Sequence, residues 1–238
     1  MLNILRSSWL YLNGFISVLI FGVIILFIGL FDKKKNITGI FVRIWGQWMC
    51  KSSGINISIE GLDFLTQKNQ YIFIANHESL LDIPVVLSQI PFNIIFLTKK
   101  ELFPIPLFGW AMHSAGMIRV DRQNKERAKK SVKHALTSLK DKNINVLVYP
   151  EGTRSSPEKL LPFKKGSFIL AIQSGLPIVP ITILNAGLNL PKRKLILNKQ
   201  IDIKLIIHEP IETKNLNPEY DKDRLANLTY NIIKKDLK

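Results

Sequence analysis

A chain of 238 residues is long enough for one sizeable core, and two domains would be crowded. Its 33 Lys+Arg against 18 Asp+Glu give a net charge of +15, which points to an anionic partner: nucleic acid, an acidic membrane surface or a phosphorylated substrate. The single cysteine, Cys50, excludes an intramolecular disulfide framework and a cysteine-built metal centre.

The composition is apolar, with 47% hydrophobic residues and a mean hydropathy of +0.13, and the densest apolar run lies in the first fifty positions. No charged side chain occurs from Ser7 to Phe31. As a helix, Trp9 through Phe31 spans roughly 35 Å, enough to cross the hydrocarbon core. The run is too long for a signal-peptide core and no small-residue cleavage site follows it, so it reads as a retained anchor. Trp9 and Tyr11 suit one interface. Asp32-Lys33-Lys34-Lys35 ends the run, and its lysines favour a cytoplasmic flank, with Arg6 as a weaker opposing vote.

Ile37, Ile40, Phe41, Ile44, Trp45 and Trp48 then recur at spacings of three and four. This predicts an amphipathic helix lying in the membrane interface, with a core-packing helix as the alternative. Gly54 ends it. Beyond Gly54 the pattern becomes short β-rich runs between helical stretches. Strands are predicted at Ile55–Glu60, Tyr71–Ala75, Asn93–Leu97, Met117–Val120, Asn145–Tyr149, Ile178–Leu184 and Asp202–His208. Several are continuously apolar, as strands covered on both faces are. Lys125–Lys140 is predicted helical, with Asn124 as N-cap and Ala128, Val132, Ala135, Leu136 and Leu139 as its apolar stripe. Its basic face is either a solvated surface or a seat for anionic headgroups or an acidic carrier protein. Leu225, Leu228 and Ile232 mark a closing helix. The predicted architecture is a single mixed α/β domain, residues 53–238, behind an anchor and interfacial helix, residues 1–52.

Two polar clusters follow predicted strands, the position at which α/β folds bind ligands. In the first, Tyr71–Ala75 runs into Asn76-His77-Glu78-Ser79 and then Asp82. If Asp82 opens a helix, its carboxylate can reach back to one imidazole nitrogen of His77, fixing the tautomer and leaving the other nitrogen as a base. A lone structural histidine is the competing reading. In the second, Tyr149-Pro150-Glu151-Gly152-Thr153-Arg154-Ser155 bends after a strand; Gly152 permits close backbone approach, and Arg154 can grip two phosphate oxygens at once. Alone, this string is equally a surface turn with a salt bridge.

The ordered series Asn76-His77-x4-Asp82, Lys99-Lys100-Glu101-Leu102, Val120-Asp121-Arg122, Pro150–Ser155 and Val179-Pro180-Ile181 resembles the glycerolipid acyltransferase family, and within it the bacterial 1-acylglycerol-3-phosphate acyltransferases. The likeness covers roughly residues 70–185. It implies transfer of a fatty acyl group from acyl-CoA or acyl carrier protein to the sn-2 hydroxyl of lysophosphatidate, giving phosphatidate, with no cofactor and no metal. It implies His77 as general base, Asp82 as its orienting partner and Arg154 as phosphate ligand. Asn76, Glu151, Gly152 and Thr153 would shape the acceptor site, and Lys99 and Arg122 would lie near the phosphate. Phe163-Lys164-Lys165-Gly166 matches the segment after the second cluster, and Val179-Pro180-Ile181 would line the acyl side. Two positions depart from the pattern: Tyr149 stands for the usual Phe, and Arg119 for an aromatic or apolar residue.

The expected partners are therefore a lysophosphatidate acceptor, an acyl-CoA or carrier-protein donor and an anionic membrane surface. The expected location is the cell inner membrane, with the catalytic part on its cytoplasmic side. Other acceptors (glycerol 3-phosphate or another lysophospholipid), a thioester hydrolase using water, and a non-catalytic anionic-lipid binder are the alternatives. Nucleic acid is disfavoured, because no aromatic–basic surface motif accompanies the charge.

Overall fold

The computed structural model describes residues 2–121, 125–141, 144–157, 159–197 and 201–237. Seven strands form one sheet: β1 (Ile55–Glu60), β2 (Ile72–Ala75), β3 (Ile94–Lys99), β4 (Ile118–Val120), β5 (Asn145–Val148), β6 (Ile178–Leu184) and β7 (Ile201–Ile207). Their order across the sheet is β1-β7-β6-β2-β5-β3-β4. The block from β6 to β4 is parallel; β7 pairs antiparallel with β6 and parallel with β1. Every predicted strand is present, with ends shifted by no more than two residues.

Alternation along the strands divides the core. Tyr71, Phe73, Ala75, Leu147 and Val179 point to a layer built with α1 (Leu2–Phe31), α2 (Asn36–Ser52), α3 (Asp82–Gln89) and α4 (Phe108–Ser114). Ile72, Ile74, Val146 and Val148 point to the opposite layer, with α5 (Lys125–Asp141), α6 (Gly166–Ser174) and α8 (Lys222–Asp236). Covering both faces is why these strands read as continuous apolar runs. A short α7 (Ala186–Asn189) follows β6. On α5, Val132, Ala135, Leu136 and Leu139 face the core as predicted; Asn124 and the Ala128 side chain lie outside the described residues. On α8, Leu225, Ala226, Thr229 and Ile233 are buried, whereas the predicted stripe member Leu228 is 47% exposed. The buried stripe is rotated because Ala226 and Thr229, neither a strong apolar signal, fit where the helix approaches the sheet.

The N-terminal helices are laid against this body. Asp32 does more than stop α1: its carboxylate accepts the N–H groups of Asn36 and Thr38 and the Thr38 hydroxyl, satisfying the free donors at the start of α2. Along α1, Trp9 Nε1 donates to Ser52 O at 2.7 Å, Asn13 Nδ2 to Ser52 Oγ at 2.6 Å, and Ser17 Oγ receives Trp45 Nε1 at 3.0 Å. Further along, Ser114 Oγ on α4 donates to Ile25 O. Gly22 admits Leu107, which sits at φ 60°, ψ −56° in a tight turn closed by Phe108 N–H to Pro106 O at 2.7 Å. α2 buries Thr38, Val42, Gly46 and Met49, leaving Ile37, Ile40, Ile44 and Trp48 exposed. The outer faces of α1 and α2 thus form an apolar surface far larger than scattered exposed side chains make, the kind that meets a membrane or a partner. α1 is long and apolar enough to cross a membrane by length and composition.

Candidate active site

β2 and β5 are parallel neighbours, with Ile74 level with Val148. The chain leaving β2 as Asn76-His77 and the chain leaving β5 as Tyr149-Pro150-Glu151 therefore emerge side by side at the carboxyl edge of the sheet. Asp82 opens α3 and is fully buried. Its Oδ2 accepts from His77 Nδ1 at 2.6 Å and from the N–H groups of Glu78 and Ser79, both at 2.9 Å. A carboxylate only accepts, so Nδ1 carries the proton and Nε2 is left as the basic nitrogen. The His77 side chain retains 14% exposure, enough for a reactant to reach it. Tyr149 stacks on the imidazole, with centroids 4.2 Å apart and planes 20° apart. Burial, then the Asp82 charge, push its phenol well above the usual tyrosine range, so it stays neutral.

Backbone bonds lock the two loops together. Glu151 Oε1 accepts the His77 N–H at 2.8 Å and Oε2 accepts the Leu161 N–H at 2.9 Å. Burial raises the Glu151 carboxyl above its ordinary value, and those donated bonds hold the rise in check. Ser155 donates both its N–H and its hydroxyl to His77 O. Asn76 pairs with the backbone of Ile183, Oδ1 taking its N–H at 2.7 Å and Nδ2 donating to its C=O at 2.9 Å. Asn76 and Glu151 thus correct the sequence expectation of acceptor contacts. Both are almost fully buried, and their polar atoms are engaged by the protein backbone, so they hold the loops in place.

The turn at Gly152-Thr153-Arg154 is ringed by cations. Gly152 has φ 71°, and a side chain there would meet Lys164 Nζ at 2.7 Å. Lys192, which follows α7, donates to Arg154 O at 2.6 Å and to Thr153 Oγ1 at 3.1 Å. Arg154 also lies within electrostatic reach of Tyr11 on α1. The arrangement suits a phosphate beside an imidazole base. Lys192 escaped the sequence reading because it is 38 residues from Arg154 in a basic stretch with no local pattern.

Lys99 ends β3, the parallel neighbour of β5, and so stands at the same carboxyl edge as the turn that leaves β5; its side chain is 55% exposed and its carboxylate neighbour is Glu101 at 3.9 Å. Arg122 lies outside the described residues. Arg119 places its guanidinium over the Phe103 ring, 5.3 Å from its centre. Val179-Pro180-Ile181 sits inside β6, paired with β2 and fully buried, so it forms sheet core rather than an acyl wall. The apolar space next to the site is a cavity of about 130 Å³ whose walls include Ile83 and Leu87 of α3, Trp45 of α2 and Phe21 of α1. The backbone N–H groups after His77, candidates to hold a developing oxyanion, are already given to Asp82.

Comparison with known proteins agrees with this geometry. The Acyltransferase family matches residues 56–184. A coconut (Cocos nucifera) 1-acyl-sn-glycerol-3-phosphate acyltransferase is 32% identical over 92% of this chain and 70% of its own length. A yeast (Saccharomyces cerevisiae) enzyme of the same name is 33% identical over 80% of this chain and 63% of its own length. The chain spans about half of other plant relatives, such as 54% of the chloroplastic protein of Brassica napus. The crystal structure of the 1-acyl-sn-glycerophosphate (LPA) acyltransferase PlsC from Thermotoga maritima superposes with a TM-score of 0.83 at 25% identity, covering 99% of this chain and 94% of that one. By the extent of these matches, over a strand-end His–Asp pair and an Arg-bearing turn, this chain belongs to the Acyltransferase family.

Proposed function

We propose that this protein transfers a fatty acyl group from acyl-CoA or acyl carrier protein to the sn-2 hydroxyl of 1-acylglycerol 3-phosphate, giving phosphatidate. The observation that carries the reading is the 2.6 Å His77–Asp82 pair beside the Thr153–Arg154 turn, a base next to a phosphate seat. The names of the relatives and of the superposed Thermotoga enzyme support the acceptor. The near full-length match to that bacterial enzyme supports the bacterial type.

His77 Nε2 takes the proton of the acceptor hydroxyl as its oxygen bonds to the thioester carbonyl carbon. The tetrahedral intermediate collapses, the C–S bond breaks, and the imidazolium returns the proton to the departing thiolate. Asp82 holds the imidazole and stabilises its charged form. General-base help of this kind contributes about 10²–10⁴-fold, and positioning of acceptor and donor supplies much of the rest. The step as written uses no cofactor. Residues 1–52 seat the enzyme and residues 53–238 carry the chemistry. With both ends of α1 tied to the body, the Lys33, Lys34 and Lys35 cluster and the net charge of +15 suit the anionic cytoplasmic face of the cell inner membrane as the place where the enzyme works.

The test is an assay of purified protein with labelled acyl-CoA and acyl carrier protein against lysophosphatidate, glycerol 3-phosphate and lysophosphatidylcholine, reading lipid product and free acid. Phosphatidate formation lost in His77→Ala, with an unchanged circular dichroism spectrum, is the expected result. Free acid as the main product would identify a hydrolase, and near-normal turnover of His77→Ala would remove the proposed base.

A further inference from the structure

Residues 190–197 join the catalytic loops to α1. At one end, Leu190 O accepts the hydroxyl of Ser79, which stands two residues past His77. At the other, the Leu197 N–H donates to Ser7 Oγ on α1 at 2.8 Å, and Leu197 is buried. Between these ties the chain turns, with Lys194 N–H bonded to Pro191 O and Arg193 at φ 69°. The segment carries Lys192, Arg193 and Lys194 and no acidic residue. Its tip exposes two large aliphatic side chains, Leu195 at 68% and Ile196 at 52%.

Nothing within the fold calls for exposed aliphatics on this tip. Its tie to Ser7 puts it beside the start of α1, where Leu2, Ile4, Leu5 and Leu12 are also exposed, so the tip continues the apolar face of α1. Aliphatics flanked by three cations match an anionic bilayer interface, where acyl chains take the former and headgroups the latter. The same segment reaches inward: the Lys192 ammonium holds Arg154 O at 2.6 Å and Thr153 Oγ1 at 3.1 Å.

We propose that residues 190–197 are a membrane-seated strap: Leu195 and Ile196 enter an anionic lipid surface beside α1, while Lys192 holds the Thr153–Arg154 turn in the shape that receives the acceptor's phosphate. The lipid contact stands on the exposed tip and its tie to α1; the role of Lys192 rests on the proposed function. Because one segment both sits on lipid and holds the Thr153–Arg154 turn, lipid contact brings the phosphate site to the bilayer surface, so an acceptor presented in a bilayer is favoured over the same headgroup free in water.

The full-length protein reconstituted into vesicles tests both halves. A fluorophore on Leu195→Cys is shielded from aqueous iodide in vesicles containing phosphatidylglycerol, and less so in phosphatidylcholine alone, whereas one on Lys140→Cys of the exposed α5 face is quenched in both. The native Cys50 does not compete for label, being buried with its thiol raised to about 11. A Leu195 probe as quenched as the Lys140 probe overturns the lipid contact, and equal shielding in both lipids overturns its anionic preference. In activity, Leu195→Asp/Ile196→Asp raises the acceptor KM about tenfold for vesicle-borne lysophosphatidate and leaves it within about twofold for a short-chain analogue below its micelle concentration. An equal loss on both acceptors would mark a merely structural segment. Lys192→Gln raises KM on both with little change in kcat; an unchanged KM overturns its positioning role. If the wild type acylates no phosphate-bearing acceptor, the proposed function fails while the iodide result still decides the lipid contact.

Discussion

The side chains around His77 divide into those with polar atoms still open and those whose hydrogen bonds hold the loops, and chemistry alone does not sort them. Asn76 and Glu151 look like ligands in a motif but spend their hydrogen bonds on Ile183, His77 and Leu161. Asn76→Ala leaves the buried N–H and C=O of Ile183 without their partners. Chemical denaturation should show a loss of about 2–4 kcal/mol, larger than any direct effect on acceptor affinity. Tyr149 is the converse. Its hydroxyl is buried and has no hydrogen-bond partner among the described residues, so Tyr149→Phe should keep the stack on His77, retain activity and leave stability equal or higher by about 1 kcal/mol. A large fall in kcat would show that the hydroxyl takes part in catalysis. Arg154→Lys loses the planar two-pronged grip, and steady-state kinetics should show a raised acceptor KM with kcat largely kept.

At the scale of elements, the approach of α2 to α3 places the apolar N-terminal layer against the catalytic helix. Gly46 sets that approach: a Cβ there would lie 2.8 Å from Leu87 Cβ and 3.0 Å from Pro84 O. Gly46→Val forces α2 off α3, whose first residue is Asp82. It should cost about 1–3 kcal/mol in thermal or denaturant unfolding and lower kcat through the His77–Asp82 geometry. The structure splits the predicted face of α2: Ile37, Ile40, Ile44 and Trp48 are on the outside, whereas Phe41 and Trp45 pack against the core. Val42, Gly46 and Met49 make the inner contact, with Gly46 giving α3 its close approach. On α1 the inner face holds Ser7, Asn13 and Ser17, whose partners are on other elements.

For the whole molecule, the net charge of +15 and the apolar outer faces of α1 and α2 suit an enzyme working at an anionic lipid surface. The far side of the sheet is closed by α8, where His208 Nε2 meets Thr182 Oγ1 at 2.8 Å and Asp236 Oδ2 at 3.3 Å. Burial lowers the His208 pKa below its ordinary 6.5, with Asp236 pulling up against it and Lys235 adding to the fall. The folded state therefore binds fewer protons than the unfolded one just below that value. This contribution to stability is complete above the unfolded pKa and shrinks as pH falls toward the folded one. The unfolding midpoint should drop as pH falls below the ordinary histidine value of 6.5, and His208→Gln should flatten that part of the profile.

The sequence by itself determined the strands, the α5 and α8 segments, the apolar N-terminal run and the His77–Asp82 pairing, because each depends on local periodicity or on residues five apart. It also placed Arg154 in a turn after a strand. Only the tertiary structure decided which motif residues spend their hydrogen bonds on the protein itself, since that depends on partners such as Ile183, Leu161 and Lys192 far along the chain. It likewise decided that α1 lies along the body instead of standing apart, and that Val179-Pro180-Ile181 is sheet core. Periodicity reports that a face is buried; what it is buried against is set by strand order, and strand order joins segments that no local pattern connects.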